Sequence, residues 1–556
     1  MSSERLIYLP LGGAGEIGMN AYVYGYGRPG KERLIVVDLG VAFPDMDSSP
    51  GVDLIIADIA WLKERRDQIE AVFITHAHED HVGGVAHTYE SLQAPIYARK
   101  FTANIARRKM QEHGHPEDAV RVVSPYPETI SAGPFTVSFM PISHSIPESS
   151  ALIIDSPEGR VIHSGDFKID RTPGVGEAFD DALWAEVSKG GVKALVCDST
   201  NVFSPHAGRS EASVGPEIEK LVSGHDGMVV ATTFASNVAR VKTLAVAGER
   251  AGRSIVLLGR SMNRMVEAAL ESGVMKDFPA TIRPEDARNV PRENLMLLVT
   301  GSQGERRAAS AQLANGKFQG LEMKEGDLFL FSSKTIPGNE RGVIKIVNMF
   351  SEKGVDVVDD SSGGHYHVSG HANRPDLEEL HDIVKPQILI PMHGEHRHLR
   401  EHVKIADGKG IKGVLAVNGM MIDLSGNAPK VAEYVETGRT YIDGSVQIGA
   451  LDGVVRDRIR MALNGHVTVT VIMDSDDEPL GDPWVDMMGL PETGRSNAPL
   501  TDVLEEDLSQ WLGRAGAKTL RDDDKLNEGL KKIARQSAHN EIGKKPEVTV
   551  VVSRLS

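Results

Sequence analysis

An apolar run, Ala-Val-Phe-Ile-Thr at 71–75, opens into His-Ala-His-Glu-Asp-His at 76–81 and then Val-Gly-Gly. Core packing does not account for three imidazoles and a carboxylate crowded onto the end of one strand, because buried polar groups are costly unless something satisfies them. Neutral imidazole nitrogen and carboxylate oxygen together suit a divalent ion, zinc above all. The spacing lets His76 and His78 face one ion while Asp80 and His81 turn towards a second. A surface loop that merely collects three of the chain's 20 histidines is the bland alternative, and the strand-then-glycine setting disfavours it.

The rest of the chain is organised around this loop. At 556 residues it exceeds a single ordinary core, so several domains are expected. Its one cysteine, Cys197, excludes an internal disulfide framework and fits a reducing cytoplasm. The N-terminus shows no basic-then-apolar secretory pattern, and no apolar run approaches the roughly 20 residues of a membrane helix, so no membrane association is expected. Short β-branched runs fill the first part, many ending in Gly, Asp or His: RLIVVDLG, FTVSFMPI, RVIHSGD, ALVCDST. From about 214 to 355 a more regular alternation, with MVVATTF, SIVLLG, LMLLVTGS and DLFLFSS as buried strands, reads as an inserted α/β domain. HYHVSGHA and QILIPMHGEH then return to the earlier His-rich style. The expected division is a catalytic domain over 1–213 and 356–450, an insertion over 214–355, a linker at 451–465 and a small α/β domain over 466–556.

Three more polar residues follow apolar strands: His144 after FTVSFMPIS, Asp166 after RVIHSG and His393 after QILIPM. A lone histidine at a strand end is usually just hydrogen-bonded. Added to the first cluster, however, these three complete a dinuclear set. One ion would take His76, His78 and His144, the other Asp80, His81 and His393, with Asp166 bridging. Two ions about 3.5–4 Å apart stabilise both the entering and the leaving oxygen of a displacement.

HAHEDH, the His of PISHS, the Asp of HSGDF and the His of PMHGE resemble the metal motifs of the metallo-β-lactamase superfamily. The insertion and HVSGHA resemble its β-CASP branch, whose members act on nucleic acids. CDSTN (197–201), TFASN (233–237), GSQGE (301–305), HVSGHA (367–372) and PMHGEHRHL (391–399) are similar to the ribonuclease J family. One departure is Arg306-Arg307 after GSQGE, where family members commonly carry a proline–methionine type sequence. The resemblance implies an αββα metallo-β-lactamase sandwich with an inserted α/β β-CASP domain and a small α/β C-terminal domain. It implies two zinc ions per subunit, with manganese or magnesium accepted in vitro. It also implies 5′-to-3′ trimming of single-stranded RNA bearing a 5′-monophosphate, alongside endonucleolytic cleavage, in rRNA maturation and mRNA decay. A cytoplasmic homodimer or homotetramer, with partners in an RNA-degradation complex, is the form it suggests.

As the resemblance implies, His371 is the candidate for proton donation or phosphate contact. Asp198 orients a neighbour, and Asp80 joins the catalytic set. Asp38, ending LIVVDLG, is either a similar orienting group or a turn residue. The 5′-phosphate pocket would draw on Ser236, Asn237, His367, Val368, Ser369, Gly370 and His371. Arg107, Arg108, Lys109, Arg240, Arg306, Arg307, Lys334 and Arg341 are candidates for an RNA track. Aromatic residues make up 5%, which argues against an extended base-stacking platform. The net charge of −17 has the wrong sign for a phosphate-binding protein. That keeps a small-molecule (thioester or lactam) metallohydrolase open at this stage, and a DNA-directed β-CASP nuclease is a separate alternative.

Overall fold

The computed structural model describes residues 4–426 and 428–555. One compact unit takes in the described residues up to Ala42 together with Ile56–Arg439, and a second takes in Phe43–Ile55 and the described residues from Thr440 onward.

In the first unit two sheets lie face to face. The first has eight strands, with Arg5–Gly12, Ala21–Gly27, Arg33–Val37 and Ile69–Phe73 adjacent at its centre. The second has seven, running from Ile130–Ala132 through Phe135–Pro141, Ser150–Ser156, Gly159–His163, Ala194–Asp198 and Ile388–Met392 to Lys412–Gly413. Alternation along each strand decides which residues meet between the sheets. Tyr8, Tyr22, Tyr24, Val37 and Phe73 from one pack with Phe139, Leu152, Val161, Val196 and Ile390 from the other. On the outer side of the second sheet, Ile153, Ile162, Leu195 and Leu389 pack with Trp184, Leu377, Leu380 and Ile405 of the helices Asp181–Ser188, Arg374–Val384 and His396–Gly408. Helices Val85–Leu92 and Lys100–Glu112 bury Val85, Leu92, Phe101 and Ala106 against Val36, Val72 and Ile96 of the first sheet. This is the αββα layering.

The register explains how distant positions meet. Gly159–His163, Ala194–Asp198 and Ile388–Met392 are neighbouring parallel strands, with His163 opposite Val196 and Asp198 opposite Met392. Parallel neighbours end at the same edge, so Asp166, Asp198 and His393 emerge together. In the first sheet Arg33–Val37 and Ile69–Phe73 are likewise parallel, with Val37 opposite Phe73, which brings Asp38 beside Thr75.

The insertion forms its own five-stranded sheet, in the order Ser254–Leu258, Leu295–Val299, Val229–Thr232, Leu328–Phe331, Asp356–Val358, parallel throughout. Its middle strands read as near-continuous apolar runs because helices cover both faces. Arg240, from the helix Val238–Arg250, is fully buried in this first unit. It makes a bidentate pair with Glu211 and donates to the carbonyls of Ser332 and Tyr366. The sequence suggested a phosphate contact on the surface, but burial and three committed partner residues exclude it from an RNA track.

In the second unit the strand His466–Met473 runs parallel to Glu547–Arg554 and antiparallel to Trp484–Met488. Helices Leu500–Leu512 and Asp523–Ile542 cover this sheet with Leu504, Leu508, Leu526 and Leu530. Residues 454–464, inside the stretch read as a linker, form a helix in which Arg458 pairs with Asp443 at 2.5 Å. Among the described residues no helix is long and apolar enough to cross a membrane.

Candidate metal centre

His78 stands at the start of a one-turn helix, Glu79–Val82, and that turn separates the motif into two groups. The ligating atoms of His76, His78 and His144 lie within 4.8 Å of one another, as do those of Asp80, His81, Asp166 and His393. Within the first group, His78 Nδ1 is 3.2 Å from His76 Nε2 and 3.1 Å from His144 Nε2. Within the second, Asp166 Oδ2 is 3.1 Å from His81 Nε2 and 3.4 Å from His393 Nε2. The same oxygen lies 3.9 Å from His76 Nε2 and so joins the groups.

Anchoring of the outer ring nitrogens fixes the tautomers. Thr75 Oγ1 donates to Asp38 Oδ2 at 2.9 Å and can therefore accept from His76 Nδ1 at 3.0 Å, leaving His76 Nε2 bare. His81 Nδ1 donates to Asp38 Oδ2 at 2.7 Å, His144 Nδ1 to the Gly370 carbonyl at 2.6 Å, and His393 Nδ1 to Asn20 Oδ1 at 3.0 Å. Each of these rings turns Nε2 inward. Asp38 and His393 take left-handed backbone angles, φ +62° and +47°, a strained setting that Asp and His tolerate better than most residues.

For His76, His78 and His144 the electrostatics agree with ligation. Burial first, and neighbouring imidazoles second, hold His76 and His144 well below the usual histidine range, and burial brings His78 down to about 4 against the pull of Asp80 and Asp166, so all three are neutral donors. Burial alone would also lower His81, but Asp166, Asp80 and Asp38 outweigh it and raise that ring. Burial would push Asp166 up, yet His393 and His81 hold it well below the carboxylate range. Asp166 is 1% exposed and its Oδ1 has no hydrogen-bond partner among the described residues, an arrangement that a cation completes. The donor set fits a divalent metal.

Beside this cluster His371 Nδ1 donates to Asp198 Oδ2 at 2.8 Å, while Asp198 Oδ1 accepts from the Thr200 amide and hydroxyl. The His371 ring centroid is 5.1 Å from that of His144. Burial would lower His371, but the Asp198 carboxylate and its hydrogen bond raise it to about 9.

Four family models match in order along the chain: metallo-β-lactamase superfamily at 15–225; ribonuclease J, β-CASP domain, at 226–350; Zn-dependent metallo-hydrolase RNA specificity domain at 365–416; ribonuclease J C-terminal domain at 453–555. Ribonuclease J of Sinorhizobium meliloti is 39% identical over 99% of this chain and 98% of its own length. The chain belongs to the ribonuclease J family. Ribonuclease J of Mycobacterium tuberculosis is 31% identical over 96% of this chain and 94% of its own. Ribonuclease J2 of Bacillus subtilis is 31% identical over 86% of each. A crystal structure of a protein of unknown function from Enterococcus faecalis V583 shares the fold, with a TM-score of 0.52 at 17% identity over 75% of this chain and all of that one.

As a member of this family, the protein is a metal-dependent ribonuclease with a β-CASP insertion in a metallo-β-lactamase domain and a further C-terminal domain. The overall negative charge, which favoured a small-molecule enzyme, does not decide the substrate class.

Three contributors carried no sequence signal. Thr75 anchors Asp38 and His76, as described. Asn20, fully buried, accepts from Tyr22 and His393 and donates to the Asp80 carbonyl. Gly40 lies under the metal loop, where a Cβ would sit 1.6 Å from the Asp80 carbonyl oxygen and 2.8 Å from the His81 amide. Backbone cannot yield as a side chain can. Gly40→Ala is therefore expected to displace the loop, cost about 1–3 kcal/mol as overpacking does, and lower the retained metal. Urea unfolding together with metal analysis checks this; a variant with wild-type midpoint and metal content would show that the close approach is unimportant.

Among the pocket candidates, Asn237 Oδ1 caps the helix Val238–Arg250 by accepting from the Arg240 amide at 3.0 Å. Ser369 Oγ accepts from Asn201 and from the His371 amide, while Val368 is buried. A Cβ on Gly370 would lie 2.9 Å from His144 Cε1, so glycine permits the contact that orients His144. Of the basic candidates, Lys109 is paired with Glu79, Arg108 with Glu271, and Arg107 donates to the Val120 carbonyl. Arg306, Arg307, Lys334 and Arg341 are exposed.

Proposed function

We propose that this ribonuclease J hydrolyses RNA with two zinc ions, one held by His76, His78 and His144 and the other by Asp80, His81 and His393, with Asp166 between them. The observation that carries the reading is the meeting of both groups at a single carboxylate oxygen, Asp166 Oδ2. When bound, such a pair supplies Lewis acidity towards water and the phosphoryl oxygens. The chain's own groups do the remainder. Asp198 accepts a hydrogen bond from His371 Nδ1–H, so Nε2 is the working end of a ring that favours its protonated form. That Nε2–H donates to the leaving oxygen as the phosphodiester opens. Asp38, through His81 and Thr75, keeps the imidazoles aimed inward.

On this reading the enzyme trims from the 5′ end, favours a monophosphate there, and also cuts internally. Ser236, Asn237 and the backbone of His367–Gly370 form the phosphate-recognising group. Support comes from the capped start of the helix Val238–Arg250, whose amides and dipole favour an anion. Arg240 ties that helix to the Tyr366 carbonyl, next to His367. The enzyme acts in the cytoplasm as a homodimer or homotetramer, in rRNA maturation and mRNA decay and in company with other RNA-degrading proteins.

One RNA, labelled at its 3′ end and carrying either one or three 5′-phosphates, tests the substrate reading. The monophosphate form is expected to disappear at least about tenfold faster, the ~1.5 kcal/mol of one hydrogen bond to a charged group. Equal rates on both forms would remove the pocket, and fragments from internal cuts alone would remove the trimming.

A further inference from the structure

On the outer face of the second sheet, beneath its covering helices, three residues meet in a largely aliphatic core, where Ser164 and Ser199 are the neighbouring hydroxyls. Cys197 comes from the strand Ala194–Asp198, His381 from the helix Arg374–Val384 and His402 from the helix His396–Gly408. Cys197 and His402 are 0% exposed and His381 is 1% exposed. The surrounding side chains are Leu195, Leu389, Leu380, Val384, Ile405 and Ala406. Packing alone would be served by more of the same, since polar groups in such surroundings lose their water and need partners.

The three ligating atoms lie within 4.8 Å of one another, and the two Nε2 atoms face each other at 3.0 Å. Ser199 Oγ donates to the Cys197 carbonyl at 3.2 Å, which leaves its lone pairs to accept from His402 Nδ1 at 2.9 Å. This repeats the relay that bares His76 Nε2 through Thr75 and Asp38, and it bares His402 Nε2 in the same way. The His381 Nδ1 atom has no partner among the described residues, so no hydrogen-bonding arrangement of the pair satisfies both rings. A tetrahedral zinc with bonds of about 2.0–2.3 Å holds its ligand atoms roughly 3.3–3.6 Å apart. The observed separation reaches that range if the rings open by a few tenths of an ångström.

We propose that Cys197, His381 and His402 supply three of the four ligands of a separate structural zinc site, with a water molecule as the fourth, which pins the strand carrying Asp198 to the two helices behind it. Thiolate and two imidazoles are a borderline-soft set suited to zinc and unsuited to magnesium. Burial holds both rings well below the usual histidine range, in the neutral ligating form, and pushes the thiol up, so the cation itself must displace the thiol proton. The site touches no reacting group. It braces the strand end from which Asp198 reaches His371, and the helix that follows His393.

Cys197 is the chain's one cysteine, which makes the test selective. The full chain is purified from cobalt-supplemented, zinc-depleted cells and its absorption spectrum recorded. A near-ultraviolet sulfur-to-cobalt charge-transfer band is expected, and only Cys197 can produce it. Cys197→Ala is expected to lose that band and one metal ion per chain, while keeping the visible bands of cobalt at the His/Asp cluster. X-ray absorption at the zinc edge of the natively purified protein should show a sulfur neighbour at about 2.3 Å. A wild-type protein that fills the His/Asp cluster with cobalt yet shows no charge-transfer band overturns the proposal, and so does equal metal content in wild type and Cys197→Ala. Should the alanine variant fail to fold, the wild-type spectrum and zinc edge decide alone.

Discussion

Asp166→Ala is expected to abolish RNA cleavage and to strip metal from both halves of the His/Asp cluster. The carboxylate stands where the halves meet, within 3.9 Å of His76, His81 and His393 nitrogens, and is almost entirely shielded from water. Removing it leaves inward-facing imidazoles around a buried space with Asp80 as the one remaining carboxylate of the proposed ligand set. Cations brought together there would repel one another with less compensating charge. Loss of rate by about 10³-fold or more, ~4 kcal/mol at 1.36 kcal/mol per decade, should accompany loss of bound metal. Single-turnover cleavage and metal analysis on the same preparation check both. Wild-type metal content in an inactive variant would reassign Asp166 to substrate contact, and wild-type activity would end the bridging role altogether.

The parts of this arrangement that were legible in sequence share one physical property: they interrupt apolar strands. HAHEDH follows AVFIT, and Asp166, Asp198 and His393 follow RVIHSG, ALVC and QILIPM, so each is a polar residue at the end of an apolar run. The insertion into one catalytic domain was legible from the rhythm of short, β-branched runs closed by Gly or Asp, whereas the αββα layering came only through the resemblance to the metallo-β-lactamase superfamily. What the sequence concealed acts through three-dimensional neighbours. Asn20 serves His393, which is 373 positions away, and nothing local marks it. Gly40 matters only because the Asp80 carbonyl passes over it. Arg240 carries the composition of a surface residue, and its burial depends on Glu211 arriving from a different segment to neutralise it. Cys197, His381 and His402 lack the close spacing of a metal motif, since strand-to-helix packing assembles them.

His371→Ala is the second large effect, and it should separate chemistry from metal binding. Two roles compete for this ring. Its Nδ1 is 3.9 Å from Asp166 Oδ2, and with His144 and Asp166 it could supply a ligand. Against that, Nδ1 is already committed to Asp198 at 2.8 Å, and Asp198 is itself fixed by the Thr200 amide and hydroxyl. A ring held so firmly by a carboxylate is poised to deliver a proton from its other nitrogen. Its side chain is also 23% exposed, whereas His76, His81 and His393 are closed off. That open face is where a phosphodiester can approach. The expected result is a fall in kcat of about 10²–10⁴-fold, the usual range for removing a general acid, with KM and metal content close to wild type. Asp198→Asn should slow the reaction less, because the ring remains but loses the carboxylate that orients and charges it. If His371→Ala instead loses a metal ion, the ring is a ligand, and proton delivery to the leaving oxygen must come from elsewhere in the site.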